Sequence, residues 1–190
     1  MEGVAGQRSY RDLQEHIDEL KKRDLLYVID DPVNKDTEMS ALVRWQFRGG
    51  LREEDRKAFL FTNVTDSQGR KYDIPVVIGA LAANQDIYAT GMDAAVEEIA
   101  AKWQAAISKP IAPKLLNEAP CQDVVIEGND LLKEDGGLVR LPIPLSTPGF
   151  DSAPTLAATN VITRNPDTGT QNMGTYRAGL KASNRRVVRM

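Results

Sequence analysis

The chain has 190 residues, of which 42% are hydrophobic, and a chain of this length can bury the core of one large or two small domains. Charged residues make up 27%, but the formal net charge is only -3, which argues against a dedicated nucleic-acid-binding protein. The longest apolar stretches, such as residues 74–81, fall far short of the roughly 20 residues that a membrane helix needs. We therefore expect neither a nucleic-acid partner nor a membrane span.

The N-terminal residues and the scarcity of cysteine and histidine limit the location and the metal chemistry. Residues 1–10 lack the basic and apolar regions of a secretory signal, so a cytoplasmic location is expected. The single cysteine, Cys121, cannot form an internal disulfide, and with His16 as the only histidine a Cys/His zinc site within the chain is excluded. A bound metal would have to use oxygen ligands, in part from elsewhere.

Predicted helices and strands alternate over the first 115 residues. Leu13, Ile17 and Leu20 repeat at helical spacing, which predicts a first helix, and Ser9 and Asp12 precede it as candidate caps. The next patterns predict a strand at 25–29, a helix from about 36 to 49, strands at 58–64 and 75–80, and a helix at 92–107. This order predicts an α/β layer structure.

Prolines then mark a change in the predicted structure. Proline-rich segments at 109–113 and 141–149 disfavour helix and central strand, and they flank a short predicted strand at 124–126. We expect a boundary near residues 110–122, with one domain at 1–115 and another at 116–190. The remaining sequence predicts strands at 156–163, 171–181 and 185–189, with a hairpin turn at 164–170.

The last of these strands are basic and polar. Residues 168–190 contain no carboxylate and five cations: Arg177, Lys181, Arg185, Arg186 and Arg189. Strand alternation predicts that Thr175, Arg177, Gly179 and Lys181 share one face. Arg177 offers a planar fork for a carboxylate or phosphate, and Asn172 a neutral oxygen for a hard cation. On these residues alone, an ordinary solvated sheet face is the commoner explanation and an anion site is the alternative.

A longer segment around these residues resembles a known family. Thr147-Pro148-Gly149-Phe150-Asp151, Ala153-Pro154 and the run from Asn160 to Arg177 resemble the UbiD family of reversible (de)carboxylases. The similarity continues through Lys181, Asn184 and Arg185, and the N-terminal half is similar in layout. It therefore covers nearly all of the chain, with residues 162–177 as its most specific part.

The resemblance implies a fold, a cofactor and a set of site residues. The fold would be α+β, an N-terminal α/β domain followed by the first strands of a split β-barrel of the flavin-reductase-like kind. The cofactor would be prenylated FMN, with Mn2+ or Mg2+ bridging to its phosphate and K+ nearby. By position, the metal ligands would be Asn172 and the Met173 carbonyl, the cofactor contacts Thr175, Tyr176, Arg177, Arg189 and Met190, and the catalytic residue Arg177, which would bind the substrate carboxylate.

The implied activity is decarboxylation of aromatic, heteroaromatic or α,β-unsaturated acids through a covalent adduct with the cofactor, which a flavin prenyltransferase would supply. A homo-oligomer is also implied. Family members run to several hundred residues, and their other metal ligands and catalytic glutamates would lie beyond Met190, so we expect this chain alone to be inactive. Two alternatives stay open: a non-catalytic cofactor-binding subunit completed by a second chain, and an FMN-binding flavin reductase-like domain.

Overall fold

The computed structural model describes residues 12–113 and 115–188, which form four α-helices and nine β-strands. The helices are Leu13–Lys22 (α1), Met39–Arg48 (α2), Gln85–Met92 (α3) and Ile99–Ser108 (α4). The strands are Leu26–Ile29 (β1), Val33–Asn34 (β2), Ala58–Phe61 (β3), Val64–Thr65 (β4), Lys71–Tyr72 (β5), Val76–Ile78 (β6), Thr155–Arg164 (β7), Gln171–Ala182 (β8) and Arg185–Val188 (β9). Of the helices in this described part, none has the length and apolar character that a bilayer crossing requires.

The chain forms two compact units, each made of several segments. The first unit comprises the described residues up to Asp30, Val43–Thr62 and Val76–Ala119. The second comprises Asp31–Leu42, Asn63–Pro75 and the residues from Pro120 onward. The domains expected at 1–115 and 116–190 stay a prediction.

The first unit packs helices against a small mixed sheet. Strand β3 pairs in parallel with β1 and antiparallel with β6. The Asp12 side chain accepts a hydrogen bond of 3.0 Å from the Glu15 N–H and caps α1, whereas Ser9 lies outside the described residues. Seven buried residues form the core of this unit: Ile17, Leu20, Leu26, Ala58, Ala80, Ala83 and Ile87.

The helix predicted at 92–107 begins later in the structure, and the helix before it, α3, was not predicted. Helix α3 ends at Met92, because Asp93 adopts a left-handed conformation with φ of 50°, and α4 begins only at Ile99. The Lys102 ammonium donates to the Asp93 carbonyl at 2.8 Å, which satisfies an acceptor at the end of α3. The spacing of Ala95, Ile99, Trp103 and Ile107 predicts a helix, but it does not show that residues 96–98 form a 3-10 turn before α4.

The second unit contains two small sheets. In one, β4 pairs in parallel with β2 and antiparallel with β5. In the other, β7, β8 and β9 form an antiparallel meander. The predicted strand at 124–126 is wrong, because this segment lies between 3-10 turns at Pro120–Gln122 and Gly128–Leu132, with Val124 and Val125 exposed.

The hairpin of β7 and β8 confirms the predicted turn and strands to within a residue or two. The Asn165 carboxamide oxygen accepts hydrogen bonds from the N–H groups of Asp167 and Thr168, at 2.8 and 3.0 Å. The Asn165 N–H in turn donates to the Thr170 carbonyl at 2.9 Å and closes the loop. This Asx-type turn sets the register of the two strands.

Gly137 lies against the turn between β8 and β9. It has φ of +58°, and an added Cβ would stand 2.5 Å from the Ser183 carbonyl oxygen and 2.7 Å from that of Leu131. The next residue, Leu138, donates its N–H to the same Ser183 carbonyl at 2.7 Å. The close approach of these two backbones therefore depends on glycine.

We expect Gly137→Ala to lower the free energy of unfolding more than Gly128→Ala. Gly128 has nearly the same φ, +57°, but an added Cβ there would meet open space, so alanine adds only the backbone strain of about 1 kcal/mol. Gly137→Ala adds a clash, typically about 1–3 kcal/mol. Urea unfolding of both variants measures the difference, and equal losses would show that the contact with Ser183 does not matter.

Candidate functional site

From Met173 to Ala178, strand β8 alternates between exposed and half-buried or buried residues. Thr175 and Arg177 are exposed, whereas Tyr176 is half-buried and Ala178 is buried. Lys181 is exposed at the far end of the strand. The strand contains no carboxylate, so its exposed face is polar and cationic.

A β-bulge in β7 lies directly opposite Arg177. Leu156 pairs with Ala178 and Thr159 pairs with Tyr176, so two residues of β7, Ala157 and Ala158, oppose a single residue of β8. Bulges of this kind bend the strand and redirect the side chain opposite them, and they are common beside active sites. Ala157 and Ala158 are exposed and small, which leaves space beside the arginine.

The Arg177 guanidinium is held by one acidic side chain. Its Nη2 atom donates a hydrogen bond of 3.0 Å to Oδ2 of Asp151. The Asp151 side chain is only 13% exposed, whereas that of Arg177 is 57% exposed. Among the described residues, Asp151 is the only hydrogen-bond partner of this guanidinium, which stays open to solvent on its other sides.

Thr175 and Asn160 make a second polar pair on the same hairpin. They are register partners, and the Thr175 hydroxyl donates to the carboxamide oxygen of Asn160 at 3.0 Å. Both side chains are exposed. This pair adds hydroxyl and amide groups to the face that carries Arg177.

Asn172 and Tyr176 belong to the opposite face of β8. An added Cβ at Gly174 would lie 2.4–2.9 Å from atoms of the Tyr176 ring, so the ring lies over Gly174, in the direction of Asn172. Met173 alternates onto the face of Thr175 and Arg177, with its side chain 65% exposed. The strand therefore brings Thr175 close to Arg177 but places the Asn172 side chain on the other face.

Two predicted site residues, Arg189 and Met190, lie outside the described residues. The role expected for them stays a prediction.

The residues present can be compared with the chemistry of an anionic cofactor and a divalent metal. The exposed Arg177, Lys181 and Thr175, with no carboxylate on the strand, suit the negative charge of a phosphate or carboxylate. The exposed carboxamide of Asn172 supplies one oxygen suited to Mg2+ or Mn2+. Within residues 12–113 and 115–188, no group of three His, Cys, Asp or Glu side chains is placed to hold a metal.

An open cleft of about 1220 Å3 lies within the second unit, and Asp151 is part of its wall. On another part of the wall the Lys35 ammonium, almost fully buried, pairs with Oδ1 of Asp36 at 2.7 Å. Tyr72 donates its hydroxyl to Oδ2 of Asp66 at 3.0 Å. No sequence pattern indicated this cleft, because its lining comes from segments far apart in the chain.

The Asp66–Tyr72 hydrogen bond shifts the titration of both groups. Burial, and then the hydrogen bond to Asp66, raise the pKa of Tyr72 from 10.0 to about 12. Burial acts to raise the pKa of Asp66, but hydrogen bonds from the Arg70 N–H, the Tyr72 hydroxyl and the Gln68 N–H outweigh it and lower the pKa. The pair thus favours a protonated tyrosine beside an ionised aspartate.

Asp151 and the bulge were missed as functional features by sequence reasoning. Asp151 lies 26 residues before Arg177, and neither periodicity nor spacing connects the two. The resemblance did include Asp151 among its matching residues, but without a role.

Comparison with known proteins shows the family of this chain. Residues 17–107 match the N-terminal domain of 3-octaprenyl-4-hydroxybenzoate carboxy-lyase, and residues 114–190 match the Rift-related domain of the same enzyme. The chain belongs to this family, UbiD, whose members are carboxy-lyases. The expected family and the mixed α/β fold class are therefore confirmed.

Solved structures of UbiD-class enzymes have the same fold. HmfF from Pelotomaculum thermopropionicum in complex with FMN matches at a TM-score of 0.75 with 27% identity, over 94% of this chain and 36% of that chain. Its evolved dimeric form in complex with prFMN matches at 0.76 with 26% identity, over 94% and 38%. Vanillic acid decarboxylase of Sedimentibacter hydroxybenzoicus, at 0.74 and 21% identity over 95% and 38%, shares the fold. The chain spans a little over a third of the length of these proteins.

The raised pKa of Tyr72 predicts a loss of stability in strongly alkaline solution. Below pH 10 the tyrosine is protonated in both the folded and unfolded states, and between pH 10 and about 12 only the unfolded state loses the proton. The free energy of unfolding should therefore fall across this interval, and Tyr72→Phe should reduce the slope. Urea unfolding from pH 9 to 12 tests this, with Tyr27→Phe in the first unit as control; an unchanged slope in Tyr72→Phe contradicts it.

Proposed function

We propose that this chain supplies the cofactor-phosphate and substrate-carboxylate contacts of a UbiD-type decarboxylase. The substrates would be aromatic, heteroaromatic or α,β-unsaturated carboxylic acids. The observation that carries the proposal is Arg177, whose exposed guanidinium projects from β8 opposite a bulge, on a strand that contains no carboxylate of its own. Membership of the UbiD family and the FMN and prFMN complexes of HmfF support it.

Each predicted site residue has a role in this proposal. Arg177 binds and orients the substrate carboxylate, which contributes positioning and charge control. Thr175, Tyr176 and, beyond the described residues, Arg189 and Met190 contact the flavin. Asn172 gives one oxygen ligand to Mn2+ or Mg2+, and the Met173 carbonyl one to K+. When bound, prenylated FMN supplies the electron sink that no side chain of the chain can provide.

The remaining parts of the proposal concern the assembly. We propose that the β7–β9 meander contributes to a split β-barrel, that a flavin prenyltransferase supplies the cofactor, and that the enzyme acts in the cytoplasm as a homo-oligomer. We also propose that residues 1–190 alone are inactive.

A second candidate is a cofactor-binding subunit that is completed by another polypeptide. Vanillic acid decarboxylase of Sedimentibacter hydroxybenzoicus (ShVdcCD), which shares this fold, was solved with a second component, a truncated ShVdcD. Isolation of this protein with a co-purifying second chain, and decarboxylation only by the two together, would favour the subunit. A flavin reductase would instead oxidise a nicotinamide cofactor with ordinary FMN and release no CO2.

We expect Arg177→Ala to lower CO2 release by about 100-fold or more, because loss of the guanidinium leaves the substrate carboxylate without its positioning group. The intact enzyme is produced in cells that also express a flavin prenyltransferase and is assayed with a panel of the three acid classes. Arg164→Ala is the matched control, since Arg164 is an exposed cation at the hairpin end of β7. Full activity of Arg177→Ala would refute the proposed role.

We expect Asn172→Ala to weaken Mn2+ binding by about tenfold or more, because the variant loses one oxygen ligand. The metal content of the purified enzyme and the Mn2+ dependence of flavin retention both measure this. Gln171→Ala serves as control, since Gln171 is the exposed neighbour on the same strand. Equal metal content in the two variants would remove Asn172 from the metal site.

A further inference from the structure

The hydrogen bond between Asp151 and Arg177 uses a particular nitrogen of the guanidinium. A guanidinium binds a carboxylate at two points through either of two edges, one formed by Nε and Nη2 and the other by Nη1 and Nη2. Nη2 belongs to both edges, and it is the atom that donates to Asp151 at 3.0 Å. Because Nη2 carries two hydrogens, one on each edge, an incoming carboxylate that binds at two points either takes the hydrogen that Asp151 uses or binds next to Asp151 on the same nitrogen.

Backbone hydrogen bonds fix the position of Asp151 independently of its side chain. The N–H groups of Phe150 and Asp151 both donate to the Thr147 carbonyl, at 3.0 and 2.9 Å. Three residues after Asp151, the Pro154 carbonyl accepts the N–H of Leu180 at 2.9 Å, which fixes this loop to β8. The Asp151 carboxylate is thus mostly buried and fixed beside a strand whose arginine is mostly exposed.

Asp151 and a substrate carboxylate carry the same charge and would compete for Arg177. A guanidinium that already pairs with Asp151 presents little net charge, so it attracts an external carboxylate less strongly than a free one does. After CO2 leaves, the product no longer carries the anion, and Asp151 is in position to pair with the arginine again. The loop therefore keeps Arg177 oriented but lowers the affinity for the acid.

We propose that Asp151 is a positioning residue that occupies Arg177 in the free enzyme and competes with the substrate carboxylate at Nη2. This inference rests on the proposed function, because it takes Arg177 as the group that binds the substrate. It assigns to the Thr147–Asp151 turn a part in setting the affinity for carboxylic acids.

The test compares Asp151→Asn with the wild type in the intact enzyme isolated with its cofactor. Asparagine keeps the size of the side chain and an acceptor oxygen but removes the competing charge. We expect the KM for the acid to fall about two- to fivefold, the range expected for a partly exposed ion pair, with kcat changed less. The Kd of benzoate, measured by calorimetry, should fall by the same factor in enzyme with and without the cofactor.

Controls separate competition from other effects. Asp167→Asn, an exposed aspartate of the hairpin turn, should leave KM and Kd unchanged. In the Arg177→Ala background, Asp151→Asn should no longer change the Kd of benzoate, because the arginine for which both carboxylates compete is gone. Asp151→Ser, smaller and also neutral, should lower KM as Asp151→Asn does, and thermal unfolding checks that each variant is folded.

Failure of the proposed function and failure of the role of Asp151 give different results. Full CO2 release by Arg177→Ala refutes the proposed function itself. Loss of activity in Arg177→Ala, together with an unchanged or raised KM and Kd in folded Asp151→Asn and Asp151→Ser, overturns only the role of Asp151. A fall in Kd that persists in the Arg177→Ala background also overturns it, since a general change in charge would then explain the effect.

Discussion

The antiparallel pairing of β7 with β8 sets the position of every group in the candidate site. Side-chain alternation within β8 decides which of its residues share a face with Arg177, and the register decides which residues of β7 lie beside them. The register also creates the bulge at Ala157 and Ala158, opposite the arginine. A slip of one residue would move the guanidinium to the other face and away from Asp151.

Contacts at both ends of the hairpin hold this pairing. At one end Asn165 closes the turn with its side chain. At the other, the first residue of β7, Thr155, donates its N–H to the Pro144 carbonyl at 3.0 Å, and Gly137 allows the backbone to approach Ser183. The proline-rich segment before β7 is therefore part of the scaffold of the site, since it supplies carbonyls that accept hydrogen bonds from the sheet.

The features predictable from the sequence are those with local causes. The hairpin was predictable because Asn165, Pro166 and Gly169 favour a turn, and the face of Arg177 followed from strand alternation. The end of α3 at Asp93 was not, because a left-handed conformation at one residue leaves no mark on the apolar spacing of the residues that follow. The strand expected at 124–126 failed because an apolar run forms a strand only with a partner. The pairing of Asp151 with Arg177 depends on how a loop returns to the sheet, which no short-range pattern encodes.

The separation of Asn172 from Arg177 constrains how the proposed cofactor can bind. The two residues are five apart on a regular strand, so their side chains leave from opposite faces, and the Tyr176 ring lies over Gly174 on the face of Asn172. A small anion could not contact both. A flavin mononucleotide is long, with its phosphate at one end and its reactive ring at the other, so a metal-linked phosphate and a substrate carboxylate need not meet on one face. Under the proposed function, this strand therefore separates the metal ligand Asn172 from the group that binds the substrate carboxylate, and substitutions at Asn172 and Arg177 should affect different steps.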